Sequence, residues 1–455
     1  MKSFPGSDAK PKEKEVFELS QFISKNPSSS ASDIATGAAR IFEPSRTTAY
    51  NHIEAAIENG WIFREGLTKG ARYSATGQFR HREAILNLDQ PLSKRPKVGY
   101  NADFLGDYKP NETYYLSQTQ RDSLHTSCSI GSFDVSDKKL SQEVRRFMAD
   151  ITHNSSAFEG VNVKYADTIS FLEENIESRH MSAFDAVILR NHYNAIRFIV
   201  ENTHCPVEVE DIVVSEYDAR NIHALLSDGL LRDRRMQGQL RQGHVEIRES
   251  SYIPTDVPDT IKSEFATLIG KAKLINDPYE QAVFLLIHIP YLQPFEDCNK
   301  RTARLLCNIP LLSNGILPVS WSEVDQINYT DATLCVYEKN STYGLCEVFV
   351  DACKRSFERF DISMRNREPS RLEITHAKQI SDAIRRRILQ DDDSLSPDVK
   401  PNCATEFTAI VEDILSSIRE NEMVASPYQL RPNNVAAWLE RERESLKVED
   451  APAPN

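Results

Sequence analysis

The stretch from residue 276 to residue 312 constrains the fold more than any other part of this chain. Asp277 and Pro278 form a helix start, with Asp277 as the N-cap, Pro278 in the first turn and Glu280 at the third helical position. Four apolar residues then recur at the spacing of one buried helix face: Ala282, Leu285, Leu286 and Ile289. Pro290 ends or kinks this helix. After a polar loop, a second apolar stripe begins at three positions: Leu305, Ile309 and Leu312. The pattern predicts two core helices joined by a polar loop.

The loop between these helices carries an acid and leads into two arginines at a helix start. Free backbone amides and the helix dipole at such a place attract an anion. Asp297 can hold a magnesium ion that bridges phosphate oxygens. Arg301 and Arg304, three residues apart on one helix face, can clamp further oxygens. From the residues alone, both a phosphate site and a helix start whose charges are only solvated remain open.

The same loop resembles the signature of Fic domain proteins. That signature reads His-Pro-Phe-x-(Asp/Glu)-Gly-Asn-(Gly/Lys)-Arg, followed after two intervening residues by another Arg. This chain has Gln-Pro-Phe-Glu-Asp-Cys-Asn-Lys-Arg at residues 293–301 and Arg304 after it, so seven of the nine core positions match. Gln293 stands in place of the histidine and Cys298 in place of the glycine.

The resemblance implies a mostly α-helical Fic-type core with a small β-hairpin flap. It also implies ATP as the nucleotide, with Mg²⁺ at Asp297, and transfer of AMP to a Ser, Thr or Tyr hydroxyl of a protein. The implied catalytic positions are Gln293, Asp297, Asn299 and Arg301. The implied nucleotide-binding positions are Cys298, Asn299, Lys300, Arg301 and Arg304. Glutamine accepts no proton near neutral pH, so we expect Gln293 to orient a hydroxyl without deprotonating it, and turnover to be weak or absent.

Three further residues resemble the inhibitory motif of the family, (Ser/Thr)-x-x-x-Glu-(Gly/Asn): Ser155, Glu159 and Gly160. The resemblance implies that Glu159 pairs with Arg304 and misplaces the γ-phosphate of ATP. Residues 238–254 resemble the flap, where a target protein docks by adding a strand. Val245 and Ile247 alternate as a strand of that flap requires. The resemblance covers about residues 105–360.

Substitutes for the missing histidine are few. His288 lies on the apolar helix five residues before Gln293, and its position favours a core histidine over a surrogate base. Glu159 can serve as a base only if the inhibitory helix swings away. Cys298 lies near Lys300 and Arg301, which favours a thiolate, but a small residue tolerated in place of glycine is the simpler interpretation.

The first hundred residues resemble a winged helix-turn-helix. Val16, Leu19, Phe22 and Ile23 predict a first helix that stops at Asn26-Pro27, a second helix follows at about 34–40, and a third leads to Gly60. A strand at 61–63, a turn at 64–70 and a returning strand at 71–74 form the wing. Eight residues are then candidates for DNA contacts: Ser45, Arg46, Thr47, Tyr50, Asn51, Arg64, Lys69 and Arg72. A protein-protein module with the same fold remains the alternative.

Charge supports a division of the chain. Residues 1–100 contain 15 Lys and Arg against 11 Asp and Glu, whereas the whole chain has a net charge of −13. A basic head on an acidic body indicates different partners for the two parts, and double-stranded DNA is a natural partner for the head. We therefore expect a winged helix-turn-helix domain at 1–90, a linker at 91–104 and a Fic domain with its inhibitory helix at 105–370. Within the linker, Lys94-Arg95-Pro96-Lys97 lies in a Pro-rich stretch without periodicity, which indicates a basic hinge. The C-terminal region at 371–455 shows no chemical motif, and its apolar spacing predicts helices at 372–389 and 406–419 with a disordered tail at 447–455. It is a candidate either for homodimer formation or for a lid over the core.

Composition narrows the class of protein. Hydrophobic residues make up 40% of the 455, which is typical of a globular chain. The longest apolar stretch, 282–292, is too short to cross a bilayer, and the N-terminus has no apolar segment typical of a signal peptide. None of the eight cysteines forms a C-x-x-C pair, which argues against zinc and against a disulfide scaffold. We expect a reduced, cytoplasmic protein without membrane contact. Two functions remain: a Fic-type adenylyltransferase with a degenerate site, or an ATP-sensing, DNA-binding regulator without catalysis.

Overall fold

The structure is a computed structural model, and it describes most of the chain. The described residues are 11–38, 46–66, 70–128, 138–174, 176–179, 181–203, 214–365, 376–390, 392, 404–420, 424–425, 428 and 430–449. The fold is mostly helical with two small sheets, which confirms the predicted class. The chain forms two compact units, Met1–Asp361 and Ile362–Asn455. Among the described residues, no helix is both long and apolar enough to span a membrane.

The N-terminal elements follow the predicted order. The helices are α1 (Pro11–Lys25), α2 (Ala31–Ala38) and α3 (Arg46–Glu58). The strands β1 (Ser29–Ser30), β2 (Ile62–Glu65) and β3 (Arg72–Ala75) form an antiparallel sheet in the order β1-β3-β2. The second helix begins three residues earlier than predicted, and residues 39 and 40 lie outside the described part. These elements enclose their own apolar core around Leu19, Ile34, Ile53, Trp61 and Phe79. The winged helix-turn-helix assignment stays a prediction.

A fourth helix that the sequence reading did not anticipate connects this module to the rest of the unit. It is α4 (Gly77–Leu88), capped by the side chain of Thr76, which accepts from the N–H of Phe79. Residues 91–104 were predicted to be a linker with a basic hinge. They instead contain a short 3-10 turn (Leu92–Lys94), β4 (Val98–Gly99) and the start of a further helix, and Arg95 is paired with Glu338. The segment is therefore an ordered part of the unit.

The remaining helices of the first unit surround a large apolar core. In chain order they are α5 (Ala102–Gly106), α6 (Gln118–Ser127), α7 (Lys138–Ala157), α8 (Tyr165–Glu174), α9 (Ala183–Thr203), α10 (Glu216–Leu226), α11 (Pro258–Leu274), α12 (Pro278–Leu292), α13 (Asn299–Leu306), α14 (Asn308–Ser313), α15 (Gln326–Lys339) and α16 (Tyr343–Arg365). A 3-10 turn at Arg234–Met236 and β5 (Tyr252–Ile253) complete the unit, and β5 pairs in parallel with β4.

Helix α12 is the centre of this core. The side chain of Asp277 accepts from the N–H groups of Tyr279 and Glu280, which confirms the predicted N-cap. The sequence predicted one buried face, but every residue from Pro278 to Leu292 is buried. Glu280 does not complete a capping box, because its carboxylate accepts from Tyr108, Tyr115 and Leu116 in a neighbouring segment. Pro290 lies inside the helix, two residues before its end.

The second unit contains three described helices: α17 (Ala377–Gln390), α18 (Ala404–Glu420) and α19 (Pro432–Glu449). Ile384, Leu415 and Trp438 belong to its own apolar core. The sequence predicted the first two helices but not the third, and it treated residues 447–455 as disordered, whereas α19 extends to Glu449. Arg419 pairs with Glu442 at 2.9 Å, so α18 and α19 are also joined by charge.

Candidate functional site

The loop at residues 293–298 joins α12 to α13 and lies between two left-handed residues. Gln293 has a φ of 51° and Cys298 a φ of 60°. Asn299 holds the loop, because its Oδ1 accepts from the N–H of Phe295 at 3.0 Å and its Nδ2 donates to the Phe295 carbonyl at 2.9 Å. A side chain is strained at positive φ, where glycine is relaxed. Backbone conformation thus gives a physical reason, besides space, for glycine at the position of Cys298.

The N-terminus of α13 presents free hydrogen-bond donors. No side chain caps this helix. The backbone N–H groups of Asn299, Lys300 and Arg301 have no acceptor among the described residues. The N–H of Cys298 instead donates to Oδ1 of Asp297 at 2.6 Å. Free amides at a helix start form an anion site, here with the amides of residues 299–301 as donors and without that of Cys298.

Arg301 and Arg304 lie on one face of α13, as predicted, and both contact Glu159. Nη2 of Arg304 lies 2.6 Å from Oε1 of Glu159, and Nε of Arg301 lies 3.5 Å from Oε2. Nε of Arg304 also donates to Oγ of Ser155 at 3.1 Å. Burial alone raises the pKa of Glu159, but Arg304 and Arg301 outweigh it and lower that pKa to about 2. Glu159 is therefore an ionised carboxylate inside a cationic site.

The end of α7 aims Glu159 at these arginines. The helix ends at Ala157, whose carbonyl accepts from the N–H of Gly160 at 3.0 Å. Gly160 has a φ of 85°, so a residue with a Cβ is strained there. The guanidinium of Arg304 lies 4.9 Å from the ring centre of Phe158 and has no exposed side-chain surface. Residues 155–159 thus form one contact surface against α13.

A cavity of about 630 Å³ opens next to this ion pair. Nine residues that the sequence reading singled out line it: Glu159, Val245, Ile247, Gln293, Asp297, Cys298, Asn299, Lys300 and Arg301. Arg304, Ser155 and Gly160 do not line it, and Arg304 lies behind Glu159. The volume is typical of a site for a small molecule the size of a nucleotide.

One protein-family model matches the part of the chain that contains this site. The Fic/DOC family model matches residues 213–311, which contain the loop, α12 and α13. This segment belongs to the Fic/DOC family. No curated protein matches the chain.

Three solved structures are similar to the chain. A Fic domain containing signaling protein from Bacteroides thetaiotaomicron is 18% identical, covers 55% of this chain and 97% of its own, and has a TM-score of 0.42. A Fic family protein from Desulfovibrio desulfuricans is 17% identical, with coverages of 62% and 82% and a TM-score of 0.45. A fragment of Fic-1 from C. elegans is 16% identical, with coverages of 77% and 87% and a TM-score of 0.40.

Gln293 is fully engaged at the position of the Fic histidine. Its Nε2 donates to the carbonyl of Pro290 at 2.7 Å and lies 3.3 Å from the hydroxyl of Tyr337. Its Oε1 accepts from Nδ2 of Asn299 at 2.8 Å. The amide therefore fixes the shape of the loop, and it offers no proton-accepting group to the cavity.

Neither His288 nor Glu159 replaces this histidine, because Glu159 is held in ion pairs with Arg301 and Arg304. His288 is buried among aromatic rings, its Nε2 lies 2.6 Å from the hydroxyl of Tyr115, and burial lowers its pKa to about 3. It is a core histidine of the Fic segment. Burial raises the pKa of the Cys298 thiol to about 12, so the nearby cations do not produce a thiolate. The interpretation of Cys298 as a small residue in place of glycine fits this environment.

The flap of the Fic segment differs from the predicted β-hairpin. Residues 242–251 carry no strand, although Val245 and Ile247 are half-buried and alternate with exposed residues. Among the described residues, this stretch makes a single backbone hydrogen bond within itself, from the N–H of Ser250 to the carbonyl of Ile247. Strand pairing occurs only at the flap end, in β5. Among the described residues, the backbone at 242–249 thus pairs with no strand.

Arg241 anchors the start of the flap, and the sequence reading gave it no role. It is fully buried, and burial lowers its pKa. Its Nε donates to the carbonyl of Gln293 at 2.6 Å, its N–H donates to the carbonyl of Pro294, and its guanidinium also reaches the carbonyls of Gly243 and Thr255. One arginine thus joins the signature loop to both ends of the flap. The only sequence signal was the position of Arg241 at the start of the segment that resembles the flap.

The residues present fit a magnesium-nucleotide better than a metal bound by protein alone. Within the described part of the chain, no three His, Cys, Asp or Glu side chains come together as a metal site. Asp297 is the acid at the cavity mouth, with 64% of its side chain exposed, and Arg301 lies 3.5 Å away. A single exposed carboxylate beside phosphate donors is how Mg²⁺ is held when phosphates supply the other ligands.

The predicted DNA-contact residues are only partly described. Ser45 and Lys69 lie outside the described residues, and the side chain of Arg46 is not described. Thr47, Tyr50 and Asn51 are exposed on one face of α3, together with Glu54. Arg64 and Arg72 are exposed on β2 and β3. This face carries donors suited to DNA, and their role stays a prediction.

Proposed function

We propose that the cavity is a Fic-type ATP site and that the chain is an adenylyltransferase whose turnover is weak or absent. The main support comes from the start of α13, where three free amides and Arg301 lie at the cavity next to Asp297. In this proposal the amides of residues 299–301 and Lys300 bind phosphate oxygens. Asp297 would hold Mg²⁺, which would neutralise charge on the phosphates.

In the reaction, a target hydroxyl attacks the α-phosphorus of ATP. A new phosphorus–oxygen bond forms, the bond to the β-phosphate oxygen breaks, and pyrophosphate leaves. The hydroxyl proton goes to solvent, because Gln293 cannot accept it. Loss of general-base help costs about two to four powers of ten in rate, while positioning and charge stabilisation by the chain remain. We place the target strand along residues 242–249.

Glu159 acts as the brake in this proposal. Its carboxylate occupies the cationic position that Arg304 and Arg301 would offer to the γ-phosphate. A bound triphosphate must either displace the end of α7 or bind with its γ-phosphate turned away. Either alternative makes binding less favourable. We therefore expect wild type to bind ATP more weakly than a variant without this carboxylate.

The test compares wild type with Glu159→Gly and Gln293→His. Calorimetry with ATP and Mg²⁺ measures binding, and α-labelled ATP measures AMP transfer to the protein itself or to a lysate. We expect Glu159→Gly to bind ATP at least about tenfold more tightly, and Gln293→His to be required for strong labelling. Absence of ATP binding in every variant overturns the proposal.

A second function is favoured by one observation, the exposed face of α3. If the N-terminal module binds double-stranded DNA, the chain is an ATP-sensing regulator whose Fic core does not turn over. Fluorescence anisotropy with labelled duplex DNA tests this at two salt concentrations. Asn51→Ala is expected to weaken binding, and binding by phosphate contacts must fall with salt. This function is ruled out if the wild type does not bind the DNA. It is also ruled out if wild type and Asn51→Ala bind the DNA equally well and independently of salt.

A further inference from the structure

The base of the flap is built from two distant parts of the chain. β5, which ends the flap, pairs in parallel with β4, which follows α4. The N–H of Val98 donates to the carbonyl of Ser251 at 3.1 Å. The stretch that leaves the N-terminal module therefore supplies the strand that holds the flap end.

One buried carboxylate collects donors from all of these parts. Glu338 lies in the last turn of α15 and its side chain is 1% exposed. Its Oε1 accepts from Oγ of Ser250 at 2.9 Å and from the N–H of Ser251 at 3.0 Å, both in the flap. The same oxygen lies 3.2 Å from Nη1 of Arg95, and Oε2 accepts from Nδ2 of Asn87 in α4 at 3.0 Å. Glu338 thus connects α4, the segment after it and the flap.

Arg95 reinforces the same connection. Its side chain is only 12% exposed. Besides Glu338 it donates to the carbonyls of Leu88 and Gln90 at the end of α4, and to the carbonyl of Glu249 in the flap. Only the planar fork of an arginine satisfies so many acceptors at once, so lysine is not an equivalent residue here.

We propose that Arg95 and Glu338 are positioning residues that fix the flap over the cavity and couple it to the position of α4. The flap backbone has almost no hydrogen bonds of its own, so its placement depends on these anchors. Removing one partner leaves a buried charge, which favours local opening. A change in the N-terminal module that shifts α4 then changes how readily the flap receives a target strand. This coupling rests on the proposed function only in treating residues 242–249 as the docking segment.

The test is amide hydrogen exchange of the full chain without nucleotide, read by mass spectrometry at residues 242–251. Glu338→Gln keeps the shape of the side chain and removes its charge. Asn87→Ala perturbs α4 without touching the flap. The matched control is Glu280→Gln, which removes another buried carboxylate with three donors, remote from the flap.

We expect about tenfold faster exchange of flap amides in Glu338→Gln and about threefold in Asn87→Ala. Glu280→Gln should leave the exchange rates of the flap amides unchanged after correction for any change in the global free energy of unfolding. Equal flap exchange in wild type, Glu338→Gln and Asn87→Ala overturns the proposal. Faster exchange in Glu338→Gln alone also overturns the coupling, because Glu338 is then only a local anchor. If Glu338→Gln does not fold, Arg95→Lys, which keeps the charge but fewer contacts, takes its place with the same expected direction.

The two proposals fail separately. Calorimetry on the same samples measures ATP binding. A wild type that binds no ATP overturns the proposed function but leaves the exchange result standing. Unchanged flap exchange overturns the coupling while an ATP-binding cavity persists.

Discussion

Replacing Glu159 by glutamine tests the ion pair that closes the cavity. The pKa of Glu159 is about 2 in the folded protein, against 4.5 for a free side chain. This lowering of the pKa corresponds to about 3 kcal/mol of stability at pH 7. A depressed pKa stabilises above the unfolded value, so this contribution is complete above about pH 5.5. It falls to about half near pH 3, and it is largely gone below pH 2.

The expected result is a pH-dependent difference between wild type and Glu159→Gln. The free energy of unfolding of Glu159→Gln should be lower by about 3 kcal/mol at pH 7, because Arg304 is left buried without its carboxylate. Urea unfolding read from Trp321 reports this region, since its Nε1 donates to the carbonyl of Arg304. Trp61→Phe and Trp438→Phe in both proteins remove the other two tryptophan signals.

A matched control distinguishes the ion pair from any loss of charge at the cavity. Glu296 lines the same cavity but is exposed, so Glu296→Gln should change the free energy of unfolding by less than about 0.5 kcal/mol. A difference between wild type and Glu159→Gln that is the same at pH 7 and pH 3 refutes the reasoning. The carboxylate would then contribute by packing and not by charge.

Two further predictions concern local chemistry. Because burial raises the pKa of Cys298 to about 12, iodoacetamide at pH 7.5 should leave it unmodified in the folded protein and label it in urea, as mass spectrometry of its peptide will show; rapid labelling in the native state contradicts the buried geometry. Gly160→Ala should lower the free energy of unfolding by about 1 kcal/mol because of the positive φ, whereas Gly106→Ala, in a helix with open space around it, should be neutral or stabilising; equal effects in thermal melts would contradict the role of φ.

Local signals made part of the site predictable from sequence. Asp277-Pro278 starts a helix by rules that act within one turn, and the structure places the cap as predicted. The spacing of Arg301 and Arg304 places them on one helix face, and both contact Glu159. These features depend on neighbours in sequence or on a resemblance to a known motif, and both were visible in the residues.

Features that depend on distant packing were not predictable. The apolar positions of α12 indicated one buried face, but neighbours on every side bury the whole helix. The alternation of Val245 and Ile247 indicated a strand, yet among the described residues no neighbouring strand pairs with them, and alternation cannot supply a partner. Arg95 in a Pro-rich stretch indicated a hinge, whereas the acid that fixes it is more than 200 residues away. Sequence spacing carries no information about such partners.

Under the proposed function, the cavity carries two obstacles to AMP transfer, and they act on different steps. Glu159 occupies the cationic position, which affects binding of the triphosphate, whereas Gln293 lacks a proton-accepting atom, which affects the chemical step. Removing the carboxylate alone improves binding without providing a base. Introducing histidine alone provides a base beside a nucleotide whose phosphates are still misplaced. Since a productive complex requires both changes, labelling by Glu159→Gly with Gln293→His should exceed the product of the two single effects, relative to wild type. If labelling by the double variant merely equals the product of the two single effects, Glu159 does not control how the nucleotide lies in the site.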